Sequence, residues 1–231
     1  MKRGVRIRYS IIIPTLNEER TIRRQFLTID TELSGGVEVI VADGGSDDQT
    51  VDLAKGHGWK TAVLKRGRGI QMNGGAEMAT GEIILFLHAD TFLPPDWAGL
   101  VDDVLADQRA VGGNFRLRFD GDSREAGWLT WLYPLLRRGG MCYGDSCFFL
   151  RRRVFEEVGG FRDYPIFEDC DLYQRVSRIG VFRTAAGEVT TSSRRFEGRF
   201  FTTFLLWVLL QLLYWLGVSP SRLGALYRIC R

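Results

Sequence analysis

Apolar positions along the first ninety residues fall in short runs, each cut off by a polar or glycine-rich turn. Ile11-Ile12-Ile13 ends at Pro14, and Val37, Val39, Ile40 and Val41 end at Asp43-Gly44-Gly45. Thr61-Ala62-Val63-Leu64 forms a third run and Ile83-Ile84-Leu85-Phe86-Leu87 a fourth. Polar stretches of helical character separate them, from about Asn17 to Leu33, Asp47 to Gly56 and Ile70 to Ala79. The fourth run reads as a strand buried on both faces. Strands spaced by helices need crossover connections, so the pattern predicts an α/β fold with a mostly parallel central sheet.

The second half is less regular. Leu93–Leu105, Ala126–Leu136 and Glu168–Ile179 read as helices, and Val111–Phe119 and Tyr143–Leu150 as strands. No linker separates the halves. Phe200–Val218 then runs nineteen residues without a charge. The expected organisation is a catalytic-type domain over 1–196 and a hydrophobic helical tail over 197–231.

Composition changes this picture little, and charge distribution changes it more. Hydrophobic residues make up 45% of 231, which fits a globular chain able to bury its own core and excludes disorder. The net charge of +3 is too mild for a nucleic-acid reader. From Thr191 onward six arginines stand against one glutamate, a net +5, so the preceding residues carry −2. Four cysteines form no C-x-x-C pair, and with two histidines they argue against zinc. Isolated thiols of a reducing cytosol are expected, with Cys142–Cys147 as the alternative bridge. The N-terminal stretch has a three-residue apolar run before Pro14 and does not read as a signal peptide.

Ligands of open parallel sheets bind beyond the carboxyl ends of the strands. There the chain places Thr15-x-x-Glu18, a capping-box pattern, and Asp43-Gly44-Gly45-Ser46, whose carboxylate is suited to a nucleobase N–H or a ribose hydroxyl. Ser46-x-x-Gln49 fits a second cap. Gly67-Arg68-Gly69 is followed by Met72 where a dinucleotide fingerprint needs glycine, and no phosphate-loop motif is present. The fourth strand ends in His88-Ala89-Asp90-Thr91, where His88 and Asp90 point the same way, either as partners of a divalent cation and diphosphate or as structural groups. Glu168, Asp169 and Asp171 crowd a helix start beyond what the helix dipole requires, so one can serve as a general base. Arg194-Arg195 suits phosphate or a solvated basic patch.

Taken in order, SIIIPTLNEE (10–19), VADGGSDDQT (41–50), GRGIQMNGGAEMATGEIILFLHADT (67–91), YGDSCFFLRRRVFEEVGGF (143–161), PIFEDCDL (165–172) and SSRRF (192–196) resemble a family 2 glycosyltransferase of the GT-A nucleotide-diphospho-sugar transferase fold. H-A-D-T in place of D-x-D is similar to a bacterial subgroup of small radical-SAM/selenodomain-associated transferases. The resemblance implies a nucleotide pocket lined by Pro14, Thr15, Asn17 and Glu18, with Asp43 at the base and Arg68, Gln71 and Asn73 on the base and diphosphate side. It implies Asp90 as the ligand of Mg²⁺ or Mn²⁺, Asp169 as the base with Glu168 beside it, and Arg194 and Arg195 on the leaving diphosphate. Tyr143, Gly144 and Asp145 would lie on the acceptor side. His88 departs from the commoner pattern. Neutral imidazole suits Mn²⁺ better than Mg²⁺, or it donates to a phosphate oxygen instead.

The implied reaction is inverting transfer from a nucleotide-diphospho-sugar, UDP-linked by default, to an acceptor hydroxyl. The rivals are a non-catalytic, membrane-associated sugar-nucleotide-binding protein and a sugar-phosphate nucleotidyltransferase. A glycosidase would not need the nucleotide-type strand ends. The tail, with Trp207, Tyr214 and Trp215 among its apolar residues, admits a membrane-surface helix, a helix buried in the fold or a homodimer interface, or a single span. Contact with lipid would favour a lipid-linked acceptor and a place at the cytoplasmic face of the membrane.

Overall fold

The computed structural model describes residues 7–29, 36–121, 124–138, 143–194 and 200–230. Strands β1 (Tyr9–Thr15), β2 (Val37–Asp43), β3 (Lys60–Val63) and β4 (Ile83–Phe86) alternate with helices α1 (Glu19–Thr28), α2 (Thr50–Gly56) and α3 (Arg68–Met78). There follow β5 (Thr91–Phe92), α4 (Trp97–Leu105), β6 (Ala110–Phe119), α5 (Arg124–Arg138), β7 (Phe148–Arg151), α6 (Arg152–Glu157), α7 (Glu168–Val176) and β8 (Val181–Thr191). The chain closes with α8 (Phe200–Trp215) and α9 (Pro220–Cys230). Eight strands form one sheet in the order β3-β2-β1-β4-β7-β6-β8-β5. The first four are mutually parallel, as the apolar runs predict. Beyond β4 the sheet is mixed.

Alternation along the strands sorts the core into two layers. Ile11, Ile13, Val39, Val41 and Leu85 face α1, α2 and α4, while Ile12, Ile40, Ile84 and Phe86 face α3, α6 and α7. Helix α3 can lie this close to β1 because Gly75 has no side chain. A Cβ there would sit 2.5 Å from Ile12 Cγ2.

Two antiparallel pairings gather distant segments at one end of the sheet. β7 runs against β4 with Phe86 opposite Phe148, so the residues entering β7 lie beside those leaving β4. β8 runs against β5 with Thr191 opposite Thr91, so the residues leaving β8 lie beside Asp90. Strand β8 and the two-residue β5 were not foreseen from the pattern.

The apolar tail is two helices with a turn at Gly217, whose φ is 84°. Helix α8 covers sixteen residues, about 24 Å at 1.5 Å per residue. Among the described residues no helix is long and apolar enough to cross a membrane. Leu210 and Leu223 are buried against Ile166, Phe167 and Cys170 in a third, smaller core. The opposite face of α8 leaves Phe201, Leu205, Leu209 and Leu212 exposed. Cys147 and Cys170 are buried and form no disulfide among the described residues, and Cys142 lies outside the described residues.

At the far end of the sheet, Glu38 accepts from Ser10 Oγ, Lys60 Nζ and the Thr80 N–H, each at 2.6 Å. Burial works against its charge, but these donors outweigh it and hold its pKa at about 2. That stabilisation is complete above pH 4.5 and is lost as pH falls toward 2. Glu38→Gln is therefore expected to lower the neutral melting temperature by about 2–4 °C, roughly 1 kcal/mol for a partly screened group, and to flatten the fall between pH 4.5 and 2. Calorimetric melts across that range check it.

Candidate active site

The loops after β1 and β2 are built on one carboxylate. Parallel register sets Thr15 beside Asp43. Asp43 Oδ1 accepts the N–H groups of Gly45 (2.9 Å) and Ser46 (2.7 Å), and Oδ2 accepts the hydroxyls of Thr15 (2.8 Å) and Ser46 (2.5 Å). All four acceptor positions are thus used, so a base N–H would have to displace one of these donors. Neither Thr15 nor Ser46 caps a helix as the sequence pattern suggests, because strand register brings the Thr15 hydroxyl to Asp43 and the tight turn after β2 brings the Ser46 hydroxyl there. Asp48 does the capping, accepting from the N–H groups of Glu19 (3.1 Å) and Thr50 (2.9 Å). Asn17, exposed and left-handed at φ 56°, accepts the Asp47 N–H at 2.8 Å. Glu18 accepts the Thr21 hydroxyl at 2.6 Å. Pro14 is half-buried on β1.

Gln71 and Asn73 act on backbone. Gln71 Nε2 donates to the carbonyls of Thr15 and Ala42, each at 2.8 Å, tying together the ends of β1 and β2. Asn73 clamps Phe161, accepting its N–H at 2.9 Å and donating to its carbonyl at 2.8 Å. It faces a separate cavity with Glu77, Arg152 and Glu156.

The acid cluster at the start of α7 meets the segment entering β7. Gly144 N–H donates to Asp169 Oδ2 at 2.7 Å, and the Cys170 N–H donates to Oδ1 at 2.7 Å. Arg68, first in α3, donates to the buried Glu168 Oε1. Glu168 Oε2 is buried with no hydrogen-bond partner among the described residues. Asp171 turns away to Arg175 at 2.6 Å. Burial pushes the Asp169 carboxyl above the ordinary aspartate range. The Glu168 charge pushes the same way, while Arg68 and the Gly144 N–H pull back. Burial disfavours the Arg68 charge, but the facing acids outweigh it and raise its pKa further.

On the β4 side, His88 is buried with Nδ1 at 2.7 Å from Asp145 Oδ1. Asp90 is half-buried, and its carbonyl accepts the Ser192 N–H at 3.1 Å. Buried Gln25 holds this turn, donating to the carbonyls of Ala89 (3.0 Å) and Thr91 (2.7 Å). Arg194 Nε donates to Ser192 Oγ at 3.0 Å, and Arg194 shares a cavity with Asp90, Arg20 and Arg24. Arg195 lies outside the described residues. The structure thus joins Arg68, His88, Gly144, Asp145, Glu168 and Asp169 in one cluster, with Asp90 and Arg194 beside it. Gln25, Asp48, Arg20 and Arg24 were missed by sequence reasoning. They are ordinary polar residues until the loops fold over them.

Among the described residues three non-glycines have positive φ, and all flank this site: Asn17, Cys147 (52°) and Phe167 (64°). Each such residue costs of order 1–3 kcal/mol and persists where surrounding packing enforces it. Here the tail helps. Tyr214 of α8 stacks on Phe167 with centroids 4.6 Å apart, and Tyr143 donates to Gln211 of α8 at 2.6 Å.

Among the described residues no three His, Cys, Asp or Glu side chains converge as a ready-made cation cage. Asp90 and Asp145 do face one cavity. Hard carboxylate oxygen there fits Mg²⁺ or Mn²⁺ whose remaining ligands come from substrate phosphate and water.

Residues 10–159 match the family model described as Glycosyl transferase family 2. A PGL/p-HBAD biosynthesis glycosyltransferase of Mycobacterium bovis is 36% identical over 176 residues, covering 71% of this chain and 67% of the relative. A probable glycosyltransferase of Bacillus subtilis is 27% identical over 74% of this chain and 47% of its own length. Among solved structures, a mannosyltransferase from Pyrobaculum calidifontis in complex with GDP-Man and Mn²⁺ gives a TM-score of 0.67 at 21% identity. The match covers 90% of this chain and 63% of that one. Glucosyl-3-phosphoglycerate synthase from Mycobacterium tuberculosis, in complex with Mn²⁺ and UDP-Glc, gives 0.64 at 20% identity, over 92% and 80% of the two chains. Both solved structures share the GT-A-like fold. The relatives named here are not radical-SAM-associated transferases, so the likeness carries at family level and the subgroup resemblance is not upheld.

A Cβ on Gly144 would stand 3.2 Å from His88 Nε2 and 3.4 Å from Asp169 Oδ2. If the reacting groups meet there, Gly144→Ala should lower turnover about tenfold or more, with little change in melting temperature. Parallel kinetics and melts check it.

Proposed function

This chain belongs to glycosyl transferase family 2, and we propose that it moves a sugar from a nucleotide-diphospho-sugar to an acceptor hydroxyl with inversion at the anomeric carbon. The observation that carries the mechanism is the Asp169 carboxylate. It is buried, pushed up in pKa and aimed by the Gly144 N–H into the space before His88. A raised carboxyl is a better proton acceptor near neutral pH than an ordinary aspartate.

In the step, the acceptor oxygen bonds to the anomeric carbon as the bond from that carbon to the diphosphate oxygen breaks. The acceptor proton passes to Asp169, and the nucleoside diphosphate leaves with the bonding electrons. Arg68 holds Glu168 and offsets the negative charge around Asp169. His88, oriented by Asp145 through Nδ1, presents Nε2 toward the same space for a phosphate or sugar oxygen. Pro14, Thr15, Asn17 and Glu18 bound the nucleotide pocket, which Asp43 and Gln71 shape through the backbone they hold, while Asn73 stands apart on Phe161. Arg194, with Arg195 and the newly placed Arg20 and Arg24, offers positive charge for the leaving diphosphate. A divalent cation on Asp90 would supply further charge neutralisation at that diphosphate. UDP is taken as the default nucleotide because it is common in the family; of two structural neighbours one binds UDP-Glc and the other GDP-Man, so both are tested. The exposed face of α8 supports peripheral attachment to a membrane surface. A stable dimer in detergent-free chromatography would assign that face to self-association instead.

Incubation with UDP- and GDP-sugars and a broad acceptor panel should release nucleoside diphosphate. Binding without release would favour a sugar-nucleotide-binding protein, and pyrophosphate release from a nucleoside triphosphate and a sugar phosphate would favour a nucleotidyltransferase. Asp169→Asn should cut turnover about 10²-fold or more while donor affinity holds within about twofold. The acidic limb of the wild-type kcat profile should lie above the ordinary aspartate value of about 3.9, since turnover grows as Asp169 deprotonates. Asp90→Ala should weaken Mn²⁺-dependent donor binding about tenfold in calorimetry.

A further inference from the structure

Asp90 stands between two cavities of opposite character. One is rimmed by Arg20, Arg24 and Arg194 and suits an anion. The other, about 180 Å³, opens between α5 and α8 and is walled by Phe119, Leu129, Tyr133, Phe204, Trp207 and Leu212. Asp90 and Asp145 reach its inner end. Three further polar side chains on its wall make bonds within the protein: Gln211 Oε1 accepts from Tyr143, Thr191 Oγ1 is 2.9 Å from Thr91 Oγ1, and Ser192 Oγ accepts from Arg194 Nε.

We propose that this cavity receives the apolar body of the acceptor. The molecule carrying the reactive hydroxyl is an amphiphile, with its hydroxyl leaving the cavity at the Asp145 end toward His88 and Asp169 and a ring-sized or longer apolar portion between α5 and α8. This rests on the glycosyltransferase reading and names its second substrate by class. A free sugar or polyol would surrender water to walls that return few hydrogen bonds, whereas an apolar group loses nothing there. Size agrees, because a cavity of about 150 Å³ takes up benzene. The cavity adjoins the candidate site at Asp145, which lines it, lies 2.7 Å from His88 through Oδ1 and follows Gly144, the donor to Asp169. At the outer end, Val208, Leu212 and Trp215 of the wall are 37%, 48% and 50% exposed, so a longer chain can leave along the open face of α8.

Calorimetry of the full chain with methyl, phenyl and octyl β-D-glucoside, the last below its micelle concentration, compares identical hydroxyls on different apolar bodies. The phenyl compound should bind at least tenfold tighter than the methyl, and the octyl compound tighter again. Leu129→Trp or Val208→Trp, which fills the cavity, should reduce the difference below about threefold, with melts confirming the fold. The wild-type series decides alone if both variants fail to fold. Equal affinity for all three glucosides, or full selectivity retained in both folded variants, would overturn the inference. UDP and GDP are titrated in parallel. Nucleotide binding with no preference among the glucosides defeats this inference and leaves the transferase reading intact. Glucoside selectivity without any nucleotide binding defeats the transferase reading and with it the acceptor assignment.

Discussion

The hydrogen bond from the Gly144 N–H to Asp169 Oδ2 joins two segments 25 residues apart, and the site depends on it. On one side it fixes the carboxylate of α7. On the other it fixes the turn that carries Asp145 to His88. The bond exists because β7 runs antiparallel to β4, which returns the chain to the strand end it left at His88. A parallel pairing would have sent residues 143–147 to the opposite edge of the sheet.

Holding acids this close in a buried place is costly, and the structure offsets it locally. Arg68 pairs with Glu168, and Asp171 is drawn off by Arg175. One oxygen of Glu168 is left without a partner among the described residues. Backbone strain is concentrated in the same place, at Cys147 and Phe167. Packing from α8 through Tyr214 and Gln211 braces both strained segments, so the apolar tail supports the loops of the candidate site from behind while its other face stays open.

Much of this was legible in the residues. Each of the first four strands is a short apolar run with a turn signal behind it, so their order and the motifs at their ends could be read directly. Strand β8 could not, because Val181–Thr191 lies half-exposed, carries Gly187 in its interior and pairs with β6 through bulges, which erases a clean alternation. The Thr15 hydroxyl matched a local capping pattern, yet strand register, a non-local constraint, gave it to Asp43, and the turn after β2 gave Ser46 to the same carboxylate. Gln25 looks like any polar residue on a helix. Only the turn beneath it shows that it holds the carbonyls around Asp90. Uniform apolarity made the tail equally compatible with core and lipid, and the fold uses one face for Leu210 and leaves Leu205 and Leu209 in the open.

The central claim is that burial and the neighbouring Glu168 charge make Asp169 a proton acceptor suited to neutral pH. The most direct measurement is a carbon-13 NMR titration of the Asp169 carboxyl in the wild type and in Glu168→Gln. The account predicts a wild-type midpoint well above about 3.9 and a lower one in the variant, where the like charge is gone and Arg68 is freed to face Asp169. A wild-type midpoint at or below the ordinary value, or one that does not move on removing the Glu168 charge, would contradict it.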